Sequence, residues 1–179
     1  MYCTNCGSKT KYVSMPDDNY NRNVCVQCQH IHYVNPKIIV GTIPILDNTL
    51  LLCRRSISPG YGKWTFPSGY MEMGESLEDG AIRESSEEAN LDVRITKLYG
   101  NYSIPDIGQV LFVYLGEITS KNFSAGSETS EVKLFDVGGI PWMDIAFPSV
   151  KFFLEKYAND YKNNKNFKYH SNFMFNNSE

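Results

Sequence analysis

The segment 69-GYMEMGESLEDGAIRESSEEANL-91 sets a glycine-containing loop ahead of a helix candidate that carries three glutamates within five positions. On a helix, Glu84, Glu87 and Glu88 stand at i, i+3 and i+4, so their carboxylates share one face. Like charges at that spacing repel each other, and Arg83 is expected to offset only one of them. A solvated helix face, a salt-bridged surface and a socket for a divalent cation are all compatible with the spacing alone.

The loop before the helix favours the cation socket. Gly69 and Gly74 allow the chain to fold back over the helix and to bring backbone carbonyls close to a metal. Clustered carboxylate oxygens are hard ligands of the kind that Mg²⁺ and Mn²⁺ prefer. Ile82 and Ala89, seven positions apart, give the same helix an apolar side for packing, so the carboxylates can be presented on another side.

The spacing of charges in this segment resembles the box of the Nudix hydrolases, G-x5-E-x7-R-E-U-x-E-E-x-G-U, in which U is a bulky apolar residue. The box residues that stand at the required spacing are Gly69, Glu75, Arg83, Glu84, Glu87, Glu88 and Leu91. Two positions depart from the box, because Ser85 replaces an apolar residue and Asn90 replaces the last glycine. Asn is the next best residue for a left-handed helix end, and Ser85 is expected to weaken helix packing slightly. Neither departure removes a charge, so activity is expected to survive.

The resemblance implies a role for each charged residue of the box. Glu84 and Glu88 are expected to be the first ligands of a catalytic Mg²⁺ or Mn²⁺, and Glu87 a third ligand or the holder of a water. The backbone carbonyl of Ser68 is expected to complete the site. Arg83 is expected to orient a glutamate through a charge-assisted hydrogen bond, and Glu75 to have a structural role, fixing the loop or bracing Arg83.

Residues outside the box extend the expected site. In this family a later loop often supplies a further carboxylate as base or ligand, and 126-GSETSEVKLF-135 offers Glu128 and Glu131, of which Glu128 is favoured. Arg54 and Arg55 follow a strand and could hold phosphate. Solvated loop charges and surface arginines are the alternatives. An adenine-stacking aromatic is also expected, and the sequence does not rank the candidates Tyr33, Tyr61, Trp64, Phe66 and Tyr102.

Four of the five cysteines form two C-x2-C pairs near the N-terminus, namely Cys3, Cys6, Cys25 and Cys28. This pattern is typical of a closed, structural zinc site with four thiolate ligands. Two disulfides are the alternative, which the absence of a secretory signal disfavours. His30 and His32 are expected to be surface or packing residues, since the thiolates complete the shell. Cys53 is expected to be a buried, inert thiol.

The order of the predicted elements indicates three segments. Residues 1–34 are predicted to form a zinc ribbon, residues 35–162 a Nudix domain, and residues 163–179 a polar tail that is either loose or docked by its aromatic residues. Within the ribbon, residues 16–23 are predicted to be a polar loop. Because strands and helices do not alternate strictly, the fold class is predicted to be α+β with a mixed sheet. The resemblance implies that this sheet belongs to an α/β/α Nudix sandwich.

The composition excludes several classes of partner. A net charge of −3 provides no broad electrostatic footprint for nucleic acid, which is expected only as capped RNA. The sequence has no run of about 18 apolar residues and no secretory signal, so no membrane span and a cytoplasmic location are expected. A homodimer is an expectation of the family alone.

A four-cysteine ribbon before a Nudix domain is similar to two groups, the NADH pyrophosphatases and a group linked to hydrolysis of FAD and ADP-ribose. The segment 99-YGNYSIPDIGQVLFVYL-115 lacks the S-Q-P-W-P-F-P motif that the NADH group carries after its box. The segments 32-HYVNPKIIVG-41, 51-LLCRR-55, 62-GKWTFPSGYME-72 and 104-IPDIGQV-110 resemble the second group. The resemblance therefore implies hydrolysis of the pyrophosphate bond of FAD or ADP-ribose, with release of AMP. Hydrolysis of NADH or of an NAD cap, and a non-catalytic nucleotide- or RNA-binding protein, are the alternatives.

Overall fold

The computed structural model describes residues 1–16 and 18–175. The chain divides into two compact units, Met1–Asn35 and Pro36–Glu179. No helix among the described residues is both long and apolar enough to cross a membrane.

The first unit is a three-stranded antiparallel sheet in the order β1, β2, β3. Its strands are β1 Thr10–Ser14, β2 Asn21–Cys25 and β3 Ile31–His32. β2 begins inside the stretch that the sequence predicts to be a polar loop. It pairs with β1 and β3, the guanidinium of Arg22 lies 5.3 and 5.2 Å from the ring centroids of Tyr20 and Tyr33, and the strand ends on two buried residues. Cross-strand packing of this kind leaves no hydrophobic alternation in the sequence.

The second unit contains a mixed eight-stranded sheet and two helices. Its strands are β4 Lys37–Leu46, β5 Thr49–Arg55, β6 Trp64–Thr65, β7 Ser68–Tyr70, β8 Val93–Ile104, β9 Gln109–Ile118, β10 Thr129–Asp136 and β11 His170–Phe173. Its helices are α1 Leu77–Ala89 and α2 Pro148–Lys162. The strand order is β10-β5-β4-β9-β8-β11, with β6 paired to β5 and β7 to β4. The β4–β9 and β8–β11 pairs are parallel and the others antiparallel, which confirms the predicted mixed α+β architecture.

Alternate residues of the central strands bury both faces of this sheet. On β5, Leu51 and Cys53 pack in the same cluster as Ala89 at the end of α1. Leu50 and Leu52 pack on the other face, in the cluster that includes α2. Neighbouring side chains of a strand point to opposite faces of the sheet, so these two clusters lie on different faces. Helix α1 covers one face and α2 the other, and the sheet is the middle layer of a sandwich. Cys53 is 1% exposed, as predicted.

Helix α1 begins and ends with specific side-chain caps. Ser76 accepts a hydrogen bond from the backbone N–H of Asp79, and the Asp79 carboxylate accepts one from the backbone N–H of Ser76. At the other end, Asn90 adopts the left-handed conformation (φ 49°, ψ 39°) expected of it. Ser85, expected to weaken packing, is fully buried and hydrogen-bonded. Its Oγ donates to the carbonyl of Ala81 and lies 2.7 Å from Oγ1 of Thr42 on β4.

The segment after α2 contains a strand that the sequence does not indicate. β11 extends the sheet by pairing in parallel with β8. The Asp160 carboxylate on α2 accepts hydrogen bonds from the Tyr99 hydroxyl and the Lys168 backbone N–H, and lies 2.8 Å from the His170 ring. Phe167 stacks on Tyr157 at 5.1 Å. The tail therefore docks through Phe167 and the β11 pairing, whereas Tyr169 and Phe173 are 54% and 63% exposed. Residues 176–179 lie outside the described residues.

Candidate active site

The turn from β7 into α1 brings the backbone into direct contact with a glutamate. A Cβ added at Gly69 would overlap the carboxylate of Glu84. Gly74 has a positive φ of 92°, a conformation that glycine adopts at no steric cost. The two glycines of the loop therefore serve different purposes, since Gly69 allows close approach and Gly74 allows the turn.

Arg83 connects the loop to the helix through more carboxylates than the sequence suggests. Its guanidinium lies 2.9 Å from Glu75, 2.7 Å from Glu84 and 3.1 Å from Glu87, so the expectation that it offsets one helix glutamate is wrong. It also donates to the backbone carbonyl of Tyr70 at 3.0 Å, a contact that sequence reasoning missed. The Arg83 hydrogen bonds lower the pKa of Glu75 to about 2, so this pair stays ionised at neutral pH.

Glu88 has a different environment from the other helix glutamates. It is 8% exposed and accepts a hydrogen bond from the backbone N–H of Ser68 at 3.3 Å. The pKa of Glu88 is raised to about 7, mainly by burial and also by the charges of Glu84 and Glu128, while the Ser68 hydrogen bond and the charge of Arg55 act in the opposite direction. Among the described residues, the ion pairs do not include Glu88. A buried carboxylate without a cation partner is costly when it is ionised.

The donor set around Glu88 fits a hard divalent cation. Glu84 is also 8% exposed, and burial raises its pKa as well. Glu87 is on the same face, with its side chain 59% exposed. An all-oxygen set with two buried carboxylates and one exposed carboxylate suits Mg²⁺ or Mn²⁺, which keep several waters and share substrate phosphates.

The structure separates the two loop carboxylates that the sequence offers. The charge of Glu128 raises the pKa of Glu88, and the Glu128 carbonyl accepts from the backbone N–H of Ser56 at 2.9 Å. Glu131 instead lies 3.5 Å from Arg54, its cross-strand partner between β10 and β5. Glu128 is therefore the carboxylate that interacts with the box, and Glu131 is engaged elsewhere.

Arg54 and Arg55 do not act as a pair, because neighbouring residues of β5 face opposite sides of the sheet. Arg55 donates to the carbonyl of Pro59 at 2.7 Å, lies over the ring of Phe147 and interacts electrostatically with Glu88. Arg54 donates to the carbonyl of Gly62 at 2.9 Å and pairs with Glu131. Only Arg55 is therefore coupled to the carboxylate cluster.

Burial distinguishes the aromatic candidates for base stacking. Trp64, Phe66 and Tyr102 are 8%, 0% and 4% exposed, and all three belong to the core cluster on the α2 side of the sheet. Tyr61, in the loop after β5, is 75% exposed. Tyr33 lies in the first unit, against Arg22.

The four N-terminal cysteines meet at one point in the first unit. Their sulfurs all lie within 4.8 Å of one another, with Cys3–Cys28 at 3.7 Å and Cys6–Cys25 at 3.4 Å. A tetrahedral zinc with Zn–S bonds of about 2.3 Å requires sulfurs roughly 3.8 Å apart, so the arrangement fits. Hydrogen bonding from Ser8 lowers the pKa of Cys6 to about 6, which favours the thiolate. His30 and His32 pack ring against ring at 4.7 Å, outside this cluster.

Together, the sandwich fold and the carboxylate helix held against a glycine loop define a Nudix hydrolase. A model of the NUDIX domain matches residues 35–153, and a model described as Nudix N-terminal, a zinc ribbon, matches residues 1–34. The chain therefore belongs to the Nudix family.

Similar proteins are known at the level of both structure and sequence. A crystal structure of a NUDIX hydrolase from Nitrosomonas europaea is 40% identical, with a TM-score of 0.94 over 97% of this chain and 98% of that one. The ADP-ribose pyrophosphatase of Methanocaldococcus jannaschii is 32% identical over 75% of this chain and 78% of its own length. The NAD-capped RNA hydrolase NudC of Vibrio atlanticus is 29% identical over 78% of this chain, which spans 51% of that protein.

Proposed function

We propose that this Nudix hydrolase cleaves the pyrophosphate bond of ADP-ribose or FAD, releasing AMP together with ribose 5-phosphate or FMN. The observation that carries the proposal is the pair of buried carboxylates Glu84 and Glu88 beside Gly69. Arg83 is the ion-pair partner of Glu84, whereas Glu88 has none among the described residues, and a buried carboxylate of this kind needs a cation to be stable when ionised. The similarity to an ADP-ribose pyrophosphatase over three quarters of the chain supports the substrate class.

In this proposal Glu84 and Glu88 hold Mg²⁺ or Mn²⁺, Glu87 contributes from the exposed side, and the Ser68 carbonyl completes the site. A divalent cation bound there supplies charge neutralisation for the diphosphate and lowers the pKa of a coordinated water. Arg83 holds Glu84 and Glu87 in place, and is itself fixed by Glu75.

We assign Glu128 the role of base. Water adds its oxygen to one phosphorus, the bond from that phosphorus to the bridging oxygen breaks, and Glu128 takes the proton that the water loses. The support for Glu128 is its electrostatic interaction with Glu88, which Glu131 does not share. Arg55 is assigned to a substrate phosphate, because its charge is coupled to the same cluster.

A second candidate function is hydrolysis of NADH or of NAD-capped RNA. It is favoured by the similarity to NudC over 78% of the chain. The absence of the S-Q-P-W-P-F-P motif after the box disfavours it. A third candidate, nucleotide or RNA binding without catalysis, leaves the buried carboxylates without a chemical purpose.

The test is a substrate panel assayed with purified protein in Mg²⁺ and, separately, in Mn²⁺. ADP-ribose, FAD, NADH, NAD-capped RNA and diadenosine polyphosphates are compared by kcat/KM from chromatography of the AMP released. The highest value for ADP-ribose or FAD supports the proposal, and the highest value for NADH or capped RNA supports the second candidate. Absence of product from every substrate, with salt-dependent RNA binding, supports the third.

Matched variants distinguish the site from its surroundings. Glu88→Gln is expected to abolish turnover, and Glu128→Gln to lower kcat by roughly 10²- to 10⁴-fold, the range for loss of a general base. Glu131→Gln makes the same chemical change three residues away and is expected to retain activity. Full activity in Glu88→Gln would show that the cation site is elsewhere.

We further propose that Cys3, Cys6, Cys25 and Cys28 hold a structural Zn²⁺. Sulfur pairs at 3.4 and 3.7 Å are far from the roughly 2.05 Å of a disulfide, so thiolates and a reducing compartment such as the cytoplasm are proposed. A homodimer is proposed from the family resemblance, and sedimentation equilibrium measures it.

A further inference from the structure

Asn90, the residue that replaces the last glycine of the box, makes contacts that glycine cannot make. Its backbone is left-handed, as the box requires. Its side-chain amide donates to the carbonyl of Ser124 at 3.1 Å, to the Ser124 hydroxyl at 3.0 Å and, at 3.5 Å, to the carbonyl of Ala125. Asn90 therefore joins the end of α1 to Ser124 and Ala125, which lie 34 and 35 positions further along the chain.

The same segment is joined to α1 through its backbone. The N–H of Ser124 donates to the carbonyl of Ala89 at 3.0 Å, and the N–H of Gly126 donates to the carbonyl of Glu88 at 2.9 Å. These bonds satisfy two of the carbonyls that a helix end leaves without partners. A Cβ at Gly126 would overlap the backbone carbonyl of Glu87, so the segment lies directly on the last turn of α1.

Residues 124–126, which dock on the end of α1, lead into the turn that carries Glu128, the loop carboxylate of the site. The N–H of Thr129 donates to the carbonyl of Gly126 at 3.2 Å, which closes a turn around Glu128. The Glu128 carbonyl is held on the other side by Ser56, next to β5. The backbone that carries Glu128 is thus fixed at both ends, by α1 through residues 124–126 and by β5.

We propose that Asn90 is a positioning residue, which docks residues 124–128 on the end of α1 and thereby sets where Glu128 stands relative to Glu84 and Glu88. This proposal rests on the proposed function of Glu128. A glycine at position 90 would adopt the left-handed conformation at lower cost, but it would lack the amide that donates to Ser124. The chain thus has a helix end that is also an anchor for the catalytic loop.

The test uses two substitutions of Asn90 and one matched control. Asn90→Gly restores the residue of the box and removes the amide, while Asn90→Asp keeps the size but replaces the donor with an acceptor. Asn164→Gly makes the first change at another left-handed asparagine (φ 58°), after α2. Hydrogen exchange of the amides of Ser124 and Gly126, measured without Mg²⁺ or Mn²⁺, is expected to be faster in both Asn90 variants and unchanged in Asn164→Gly.

Kinetics then test whether the docking acts through Glu128. Asn90→Gly is expected to lower kcat on the order of 10-fold with KM within about twofold, because small displacements of a catalytic group have effects of up to about 10²-fold. In a Glu128→Gln background the same substitution is expected to have no further effect on kcat, since coupled residues are not additive. Equal losses in both backgrounds, or unchanged exchange of the two amides, would overturn the proposal.

The two measurements also separate this proposal from the proposed function. If the unmodified protein releases AMP from no substrate of the panel, the proposed function fails and the role assigned to Glu128 fails with it. If the protein is active, and Glu128→Gln lowers kcat while Asn90→Gly changes neither kcat nor exchange, only the positioning role of Asn90 is overturned.

Discussion

Replacing Glu88 by glutamine should stabilise the cation-free protein while it removes the activity. The pKa of Glu88 rises from its ordinary value of 4.5 to about 7 in the folded chain. Since each pKa unit corresponds to about 1.4 kcal/mol, ionising Glu88 costs the folded state roughly 3 kcal/mol. Its exposure of 8% leaves little water to screen this cost. Glutamine keeps the size and can still accept from the Ser68 N–H, but it carries no charge.

The sign of the effect sets the pH window. Below pH 4.5 the carboxyl is protonated in both the folded and the unfolded states, so the substitution changes little. Between pH 4.5 and about 7 the unfolded chain ionises first, and the free energy of unfolding of the unsubstituted protein falls. Above pH 7 the carboxyl is ionised in both states, and the full difference in the free energy of unfolding between the unsubstituted protein and Glu88→Gln persists. Glu88→Gln is therefore expected to be more stable by up to about 3 kcal/mol at pH 8 and nearly equal at pH 4.5.

Thermal unfolding at pH 4.5 and pH 8, in buffer without Mg²⁺ or Mn²⁺ but with zinc retained, measures the difference. Both tryptophans, Trp64 and Trp142, lie in the second unit, so their fluorescence reports its unfolding alone. A gain of 3 kcal/mol corresponds to roughly 6–12 °C in a domain of this size. Added Mn²⁺ is expected to raise the Tm of the unsubstituted protein and to leave that of Glu88→Gln almost unchanged.

Glu87→Gln is the matched control, because Glu87 is exposed and its surface ion pair with Arg83 contributes at most about 1 kcal/mol. Its Tm is expected to stay close to that of the unsubstituted protein at both pH values. A Glu88→Gln variant that is less stable than the unsubstituted protein at pH 8, or whose gain in free energy of unfolding at pH 4.5 equals that at pH 8, would contradict a destabilising ionised Glu88 in the folded state.

Three further predictions follow from other contacts. Ser85→Ala leaves the buried hydroxyl of Thr42 without its partner and is expected to lower the free energy of unfolding by about 1–3 kcal/mol in urea; Thr42→Val added to it should recover part of the loss. Because a cation must displace the proton of Glu88 below pH 7, Mn²⁺ affinity measured by calorimetry should rise from pH 6 to pH 8, and a flat profile would contradict the assignment. Cys25→Ser removes a buried sulfur of the cysteine cluster and should reduce zinc content, measured by atomic absorption, from one equivalent to nearly none.

Elements with strong local patterns were predictable from the sequence. β4 occupies Lys37–Leu46, whose run of apolar residues by itself favours a buried strand, and α1 occupies Leu77–Ala89, inside the segment 69–91 in which the spacing of the glutamates predicts a helix. The helix caps at Ser76 and Asn90 also follow from residue type. In each case the physical signal is local, because hydrophobic periodicity and caps depend on residues a few positions apart.

What the sequence did not predict depends on partners far away along the chain. β11 forms because His170 meets Asp160 and the strand pairs with β8, whereas its own residues show no alternation. Ser85 is satisfied by Thr42, 43 positions earlier. The several partners of Arg83 depend on how the loop after β7 folds back, which spacing alone does not determine.

The three glutamates near the end of α1, Glu84, Glu87 and Glu88, have two different kinds of environment. Arg83 offsets the charges of Glu84 and Glu87. It also pairs with Glu75, whose pKa falls to about 2, so this ion pair persists at neutral pH. Arg83 is therefore committed to those carboxylates, and Glu88 remains buried with its pKa raised to about 7. A basic side chain paired with Glu88 would stabilise the fold, but it would occupy the position at which a metal ion is proposed to bind. If Glu88 holds the divalent cation as proposed, the lack of an ion-pair partner among the described residues makes folding less favourable and keeps this carboxylate free for the cation, and the stability gained in Glu88→Gln measures that cost.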